Sequence, residues 1–308
     1  MKRGCCMEKI CAVIVTYNRP ELLCRCVEHL LKQTYPLDIL IYDNHSSMDT
    51  KRALEEREFL NDHVTYYYAE KNTGGSGGFH NGMKMAVEKG YEYLWLMDDD
   101  GYAVEDTTLE RIMEAKELIK DELFILNSLV ICDEETLQLS FSVDRSFDGK
   151  YVQSLAQDGL YKGAANPFNG TLIPTKLIDK IGYTKKEFFV YGDETEYTLR
   201  SKANGAELYT VVNSLYYHPT YIAKKKKFFG KEIVVSQIPL WKAYCMARNT
   251  TYYTRLYFGI KERVVKTASL ILGALYVEKN KWARLKITLR GIKDGKKGDF
   301  SRELDLTK

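Results

Sequence analysis

Tyr93-Leu94-Trp95-Leu96-Met97-Asp98-Asp99-Asp100-Gly101 is a short apolar run that ends in three carboxylates and a glycine. Its first five residues have the length and composition of a buried β-strand. In an open α/β sheet, ligands sit beyond the carboxyl ends of the strands, so acids placed there face a crevice. Adjacent carboxylates repel one another unless neutralised, and a hard divalent cation bound to phosphate oxygens does this well. Along a straight strand, alternation sends Asp98 and Asp100 to one side and Asp99 to the other, which offers a metal two ligands. The plain alternative is a solvated acidic turn. An EF-hand is excluded, because its ligand spacing and later glutamate are absent.

Upstream, the strand-then-polar pattern recurs. Residues 10–17 form a continuous apolar, β-rich run, as in a strand buried on both faces. The turn Asn18-Arg19-Pro20-Glu21 follows, with Pro20 at a helix start. A second strand over residues 38–44 ends in Asp43-Asn44, and a third covers residues 64–69. Strands alternating with helices predict an α/β fold with a mostly parallel sheet and right-handed crossovers. Before the acidic strand lies Asn72-Thr73-Gly74-Gly75-Ser76-Gly77-Gly78-Phe79. Its glycines allow close backbone approach to a ligand, and an amphipathic helix begins there, so the segment is expected to face a ligand. It matches neither the Walker nor the dinucleotide fingerprint.

Downstream, residues 124–131 read as another strand, and residues 140–165 as an aperiodic lid or acceptor loop. A second chemical cluster is Glu187-Phe188-Phe189-Val190-Tyr191-Gly192-Asp193-Glu194-Thr195-Glu196. It reads as an aromatic strand running into a helix whose first turn is acidic. Such acids compensate the helix dipole, and one of them held near an alcohol can also accept a proton. Residues 207–217 form a further strand that closes on His218-Pro219, within reach of metal or phosphate chemistry.

Composition limits the possibilities. The chain has 308 residues, 45% hydrophobic and 28% charged, as in a folded globular protein. A net charge of +3 does not call for nucleic acid, although Lys224 to Lys227 form a basic run. Its 7 cysteines lack metal-ligand spacing and suit reduced thiols in the cytoplasm. No stretch reaches the ~20 apolar residues of a membrane span. Beyond residue 222 the chain is rich in tyrosine and lysine, and residues 279–293 read as a basic amphipathic helix. Aromatic residues interleaved with basic ones suit an interface of anionic headgroups, and peripheral membrane contact is expected there. The same region is a candidate for pairing subunits into a homo-oligomer.

Taken in order, these motifs resemble family 2 glycosyltransferases of the GT-A fold, and the glycine-rich segment resembles that of bacterial galactofuranosyltransferases and rhamnosyltransferases. The resemblance spans about residues 9–220. It implies a Rossmann-like catalytic domain over residues 1–222 and a helical aromatic and basic extension over residues 223–308. By this resemblance Thr16, Tyr17, Asn18, Arg19, Asp43 and Asn44 surround the nucleotide, and Asn72, Gly74, Gly75, Asp98 and Asp99 the diphosphate sugar. It further implies Mn²⁺ or Mg²⁺ on Asp98, Asp100 and His218. The family's base is the second acid of a pair, often aspartate; here that position is Glu194, preceded by Asp193, and both stay open. The implied reaction is inverting transfer from a nucleoside-diphosphate sugar (UDP-galactofuranose or dTDP-rhamnose) to a lipid-linked or glycan acceptor at the inner face of the membrane. Two other classes compete. A nucleotidyltransferase needs a basic, glycine-rich loop after its first strand, where this chain has Asn18-Arg19-Pro20-Glu21; a non-catalytic carbohydrate-binding module should have lost acids that are all present here.

Overall fold

A computed structural model describes residues 8–166, 168–220, 224–228, 231–235, 238–276, 280–304 and 306. The chain divides into two compact units, Met1–Lys186 with Arg200–Thr220, and Glu187–Leu199 with Tyr221–Lys308.

In the first unit, β1 (Ile10–Thr16), β2 (Asp38–Asp43), β3 (Val64–Tyr68) and β4 (Tyr93–Asp98) lie parallel in the order β3-β2-β1-β4. They are joined through α1 (Pro20–Leu31), α2 (Thr50–Glu55) and α3 (Gly74–Glu88). Every residue of β1 is buried, as its unbroken apolar run requires. Pro20 opens α1, and the Asp49 side chain caps α2 by accepting from the Arg52 amide at 3.1 Å.

Then come β5 (Tyr102–Ala103), α4 (Thr108–Lys116), β6 (Phe124–Asp133), β7 (Gln138–Val143), β8 (Ser146–Asp148), α5 (Gly149–Leu155), β9 (Leu160–Lys162), β10 (Asn169–Pro174) and α6 (Thr175–Ile181). They are followed by α7 (Asp193–Ala203), whose residues belong partly to each unit, and β11 (Glu207–Tyr217). The sheet continues β4-β10-β6-β11-β5, with β10 antiparallel to both of its neighbours and β11 parallel to β6. Two reversals restore direction. The carboxyl ends of β1, β4, β6 and β11 therefore share one edge, and the polar residues that follow β4 and β11 meet there.

Residues 140–165, expected as an aperiodic loop, hold short strands and the α5 helix. The β7–β8 turn is made by Asp144 and Arg145, both at positive φ (48° and 63°). A two-residue turn of this type is usually marked by glycine or asparagine, so the hairpin left little trace in the residue types.

The second unit contains a β12 (Lys224–Phe228) and β13 (Lys231–Val235) antiparallel pair, then α8 (Leu240–Tyr257), α9 (Ile260–Tyr276) and α10 (Lys281–Lys297). The basic run of residues 224–227 is thus a strand; its side chains, like Cys5 and Cys6, lie outside the described residues. Glycines bring α10 close to α8: a Cβ at Gly291 would sit 2.7 Å from the Tyr244 carbonyl oxygen, and one at Gly295 would strike that of Arg248. Among the described residues, no helix is long and apolar enough to cross a membrane.

Candidate active site

At the carboxyl edge of the sheet the three acids separate. Asp99 turns toward β1, where it accepts from Thr16 Oγ1 at 2.8 Å and Arg19 Nη1 at 3.1 Å. The same Arg19 nitrogen reaches Asp100 Oδ2 at 2.9 Å. Burial pushes the Asp99 carboxyl up to about 6, against the opposing pull of Arg19 and Thr16. Asp98 and Asp100 instead turn toward His218, just past β11, and ligand atoms of these three residues lie within 4.8 Å of one another. His218 Nε2 is 3.4 Å from Asp100 Oδ1.

The backbone around this cluster is held tightly. The Asp98 amide donates to the Phe168 carbonyl at 3.1 Å, and the His218 amide to the Ile131 carbonyl at 2.9 Å. Gly101 is required by space, since a Cβ there would strike the Tyr216 ring and lie 2.8 Å from the Tyr217 carbonyl oxygen. Arg25, which the sequence did not single out, donates from Nη2 to the Asp100 carbonyl at 3.2 Å. Its guanidinium lies 4.8 Å from the Tyr102 ring centre and 5.9 Å from that of Tyr217. One cation thus braces both strand ends that carry the cluster.

Two carboxylates and an imidazole fit Mn²⁺, and the oxygen donors also fit Mg²⁺. Burial lowers the proton affinity of His218 while Asp100 raises it, with burial the larger effect. A neutral imidazole has the lone pair that ligation needs. Packing of the Phe141 ring, centred 5.1 Å away, restricts its orientation.

Beside this cluster lie the residues expected around the nucleotide. Tyr17 is exposed, and Asn18, at φ 56°, accepts from the Ser47 and Met48 amides at 2.7 and 3.2 Å. Asp43 is buried and accepts from the Ser46 amide at 2.8 Å and from Tyr66 Oη at 2.7 Å. Asn44 donates to the Gly74 carbonyl at 2.8 Å and to Asn72 Oδ1 at 3.1 Å, and accepts from the Thr73 amide at 3.0 Å. Asn72 Oδ1 also accepts from the Gly74 amide at 2.8 Å. Asp43 and Asn44 therefore shape the site through backbone, and Asn44 fixes the segment that enters α3.

The glycines of that segment divide into two groups. Gly74 has φ 72° and begins α3, and a Cβ on Gly75 would meet nothing within 4 Å. A Cβ on Gly78 would lie 2.5 Å from Val15 Cγ1, and one on Gly82 2.7 Å from Val13 Cγ1. The later glycines thus serve close packing of α3 on β1. Periodicity could not separate the two jobs.

The second unit holds Asp193 and Glu194 in the first turn of α7, Asp193 buried and Glu194 half-buried. Residues 187–191, expected as a strand, form a 3-10 turn over Lys186–Phe188 and an irregular loop with Phe189, Tyr191 and Gly192 at positive φ. The loop is held from α8: Asn249 Nδ2 lies 3.0, 3.0 and 2.8 Å from the Phe188, Val190 and Tyr191 carbonyl oxygens. Arg248 Nη2 donates to the Glu187 and Phe188 carbonyls at 2.9 and 3.0 Å. Glu196, fully buried, accepts from Tyr257 Oη at 3.1 Å. The available signal was an Arg-Asn pair inside an otherwise aromatic helix.

The model of the family "Glycosyl transferase family 2" matches residues 11–156. Galactofuranosyltransferase GlfT1 of Mycobacterium tuberculosis is 30% identical over 218 residues, covering 69% of this chain and 70% of that protein. This chain belongs to glycosyltransferase family 2. Solved structures share its fold. Mannosyltransferase PcManGT of Pyrobaculum calidifontis, solved with GDP-Man and Mn²⁺, aligns at a TM-score of 0.53 and 14% identity, over 96% of this chain and 76% of that one. GalNAc-T7, solved with UDP, GalNAc and Mn²⁺, aligns at 0.63 and 15% identity, over 95% and 56%. At such identities the likeness is one of fold, and the fold is GT-A.

Proposed function

We propose that this glycosyltransferase moves galactofuranose from a UDP donor to a hydroxyl of a lipid-linked cell-surface glycan, with inversion and with Mn²⁺ or Mg²⁺. The observation that carries the reading is the convergence of Asp98, Asp100 and His218 at the carboxyl edge of the sheet. The galactofuranosyltransferase relative favours that sugar over rhamnose.

Asp98, Asp100 and His218 would hold the cation. When bound, the cation supplies positive charge opposite the charge that grows on the leaving phosphate. Thr16, Tyr17, Asn18 and Arg19 border the base and ribose, and Asp43 and Asn44 fix the backbone around them. Asn72, Gly74, Gly75 and Asp99 border the diphosphate sugar. Glu194, or Asp193 beside it, takes the proton of the acceptor hydroxyl. The acceptor oxygen then bonds to the anomeric carbon as its bond to the diphosphate oxygen breaks, and nucleoside diphosphate leaves. Single displacement from the opposite face inverts the configuration.

The test is thermal unfolding with Mn²⁺ against a panel of nucleotides. At a hundredfold excess over its dissociation constant, a bound nucleotide adds ~2.7 kcal/mol. The expected result is a metal-dependent shift with UDP that disappears in Asp100→Ala. A shift with dTDP alone would replace galactofuranose by rhamnose. No shift with any nucleotide would overturn the transferase reading in favour of a binding module.

A further inference from the structure

α9 carries two apolar stripes. Thr267, Leu270, Ile271 and Ala274 are buried or half-buried, on a helix that packs with α8 and α10. Ile260, Val264, Ala268, Leu272 and Leu275 recur every three or four residues on an adjacent face, and all five are exposed. Ile260 is 74% exposed, Val264 60% and Leu272 47%. A surface helix normally carries polar residues on its outward face. This stripe runs along the helix for roughly 22 Å at 1.5 Å per residue.

The exposed charges of α9 and α10 are mostly basic. Lys261 and Lys266 are exposed on α9, Lys281, Lys286 and Arg290 on α10, and Glu262 is the single acid of α9. Trp282, at 70% exposed, stands among these cations. An apolar stripe with Lys261 in its arc, in a unit whose neighbouring helices expose mostly basic charges and an indole, has the chemistry of a helix lying in a headgroup layer. A second copy of the chain would bring the same cations against themselves. The face of α10, the basic helix of the same region, that carries Gly291 and Gly295 packs on α8.

We propose that the outer stripe of α9 docks in the plane of an anionic bilayer surface, its apolar side chains among the acyl chains and Lys261 on the headgroups. The surface rests on the functional reading only in giving the enzyme a place to meet a lipid-linked acceptor. Vesicle binding needs neither donor nor metal, so it succeeds or fails independently of the nucleotide test.

The experiment is flotation of the full chain with phosphatidylcholine vesicles, with and without phosphatidylglycerol. Wild type should bind the anionic vesicles about tenfold more tightly, and added salt should weaken binding. Val264→Asp with Leu272→Asp should reduce binding about tenfold or more at an unchanged melting temperature. Lys261→Glu, at an exposed position within the arc of the stripe, should also weaken binding to the anionic vesicles, and keeps the test decisive if the aspartates unfold α9. Equal binding to both vesicles, no binding, or binding indifferent both to the aspartate pair and to Lys261→Glu overturns the proposal. Sedimentation as a dimer that Val264→Asp with Leu272→Asp dissociates, without vesicle binding, assigns the stripe to a second copy.

Discussion

Asp100 and Glu194 occupy opposite roles in the proposed chemistry, and substitution separates them. Asp100→Ala should lose both Mn²⁺ binding, read by calorimetry, and transfer. Glu194→Gln should keep Mn²⁺ binding and the melting temperature while slowing transfer about a hundred- to ten-thousand-fold, the range of a general base. Asp193→Asn should be milder. Asp193 is buried at the start of α7, where the helix dipole favours its charge, whereas Glu194 is only half-buried. Near-normal turnover in Glu194→Gln with collapse in Asp193→Asn would move the base to Asp193.

The glycines of α3 and the loop held by α8 make predictions about elements. Gly78→Ala forces a methyl against Val15 at 2.5 Å and should cost about 1–3 kcal/mol in urea unfolding. Gly75→Ala has open space and a helical position, so the free protein should unfold no more easily, gaining up to ~1 kcal/mol. A loss of nucleotide binding in Gly75→Ala without a loss of stability would mark backbone approach by the donor. Asn249→Ala strips the Phe188, Val190 and Tyr191 carbonyls of a shared donor. It should cost about 2–3 kcal/mol, and transfer should fall further than the melting temperature implies, because the loop leads into Asp193 and Glu194. A melting temperature equal to wild type would show that the clamp is dispensable.

For the whole molecule, the cysteines report where each unit is closed. Burial pushes the Cys11 thiol up to about 12 and Cys245 to about 11, and Cys26 is raised further. Cys132 is half-buried. Alkylation of native protein at mildly alkaline pH, followed by peptide mass spectrometry, should therefore label Cys132 well before Cys11, Cys26 or Cys245, because the thiolate is the reacting form. Early labelling of Cys245 would mean that the helices of the second unit open readily.

The sequence alone determined the parallel half of the sheet, because residues 10–16 and 93–97 are unbroken apolar runs and each is followed by a turn or acids. The grouping of Asp98 with Asp100 matches the alternation read along the strand, although β4 ends at Asp98 and the turn after it carries Asp99 and Asp100. The tertiary structure decided what these residues meet. His218 joins the acids because β10 runs antiparallel between β4 and β6, a reversal that no local pattern records. Arg25 and Asn249 act on residues 75 and about 60 positions away, and in isolation each is an ordinary polar residue on a helix. Which helix of the second unit would hide its apolar face was equally a packing question. The glycines at 291 and 295 admit α8 to the face of α10, and α9 is left with apolar side chains turned outward.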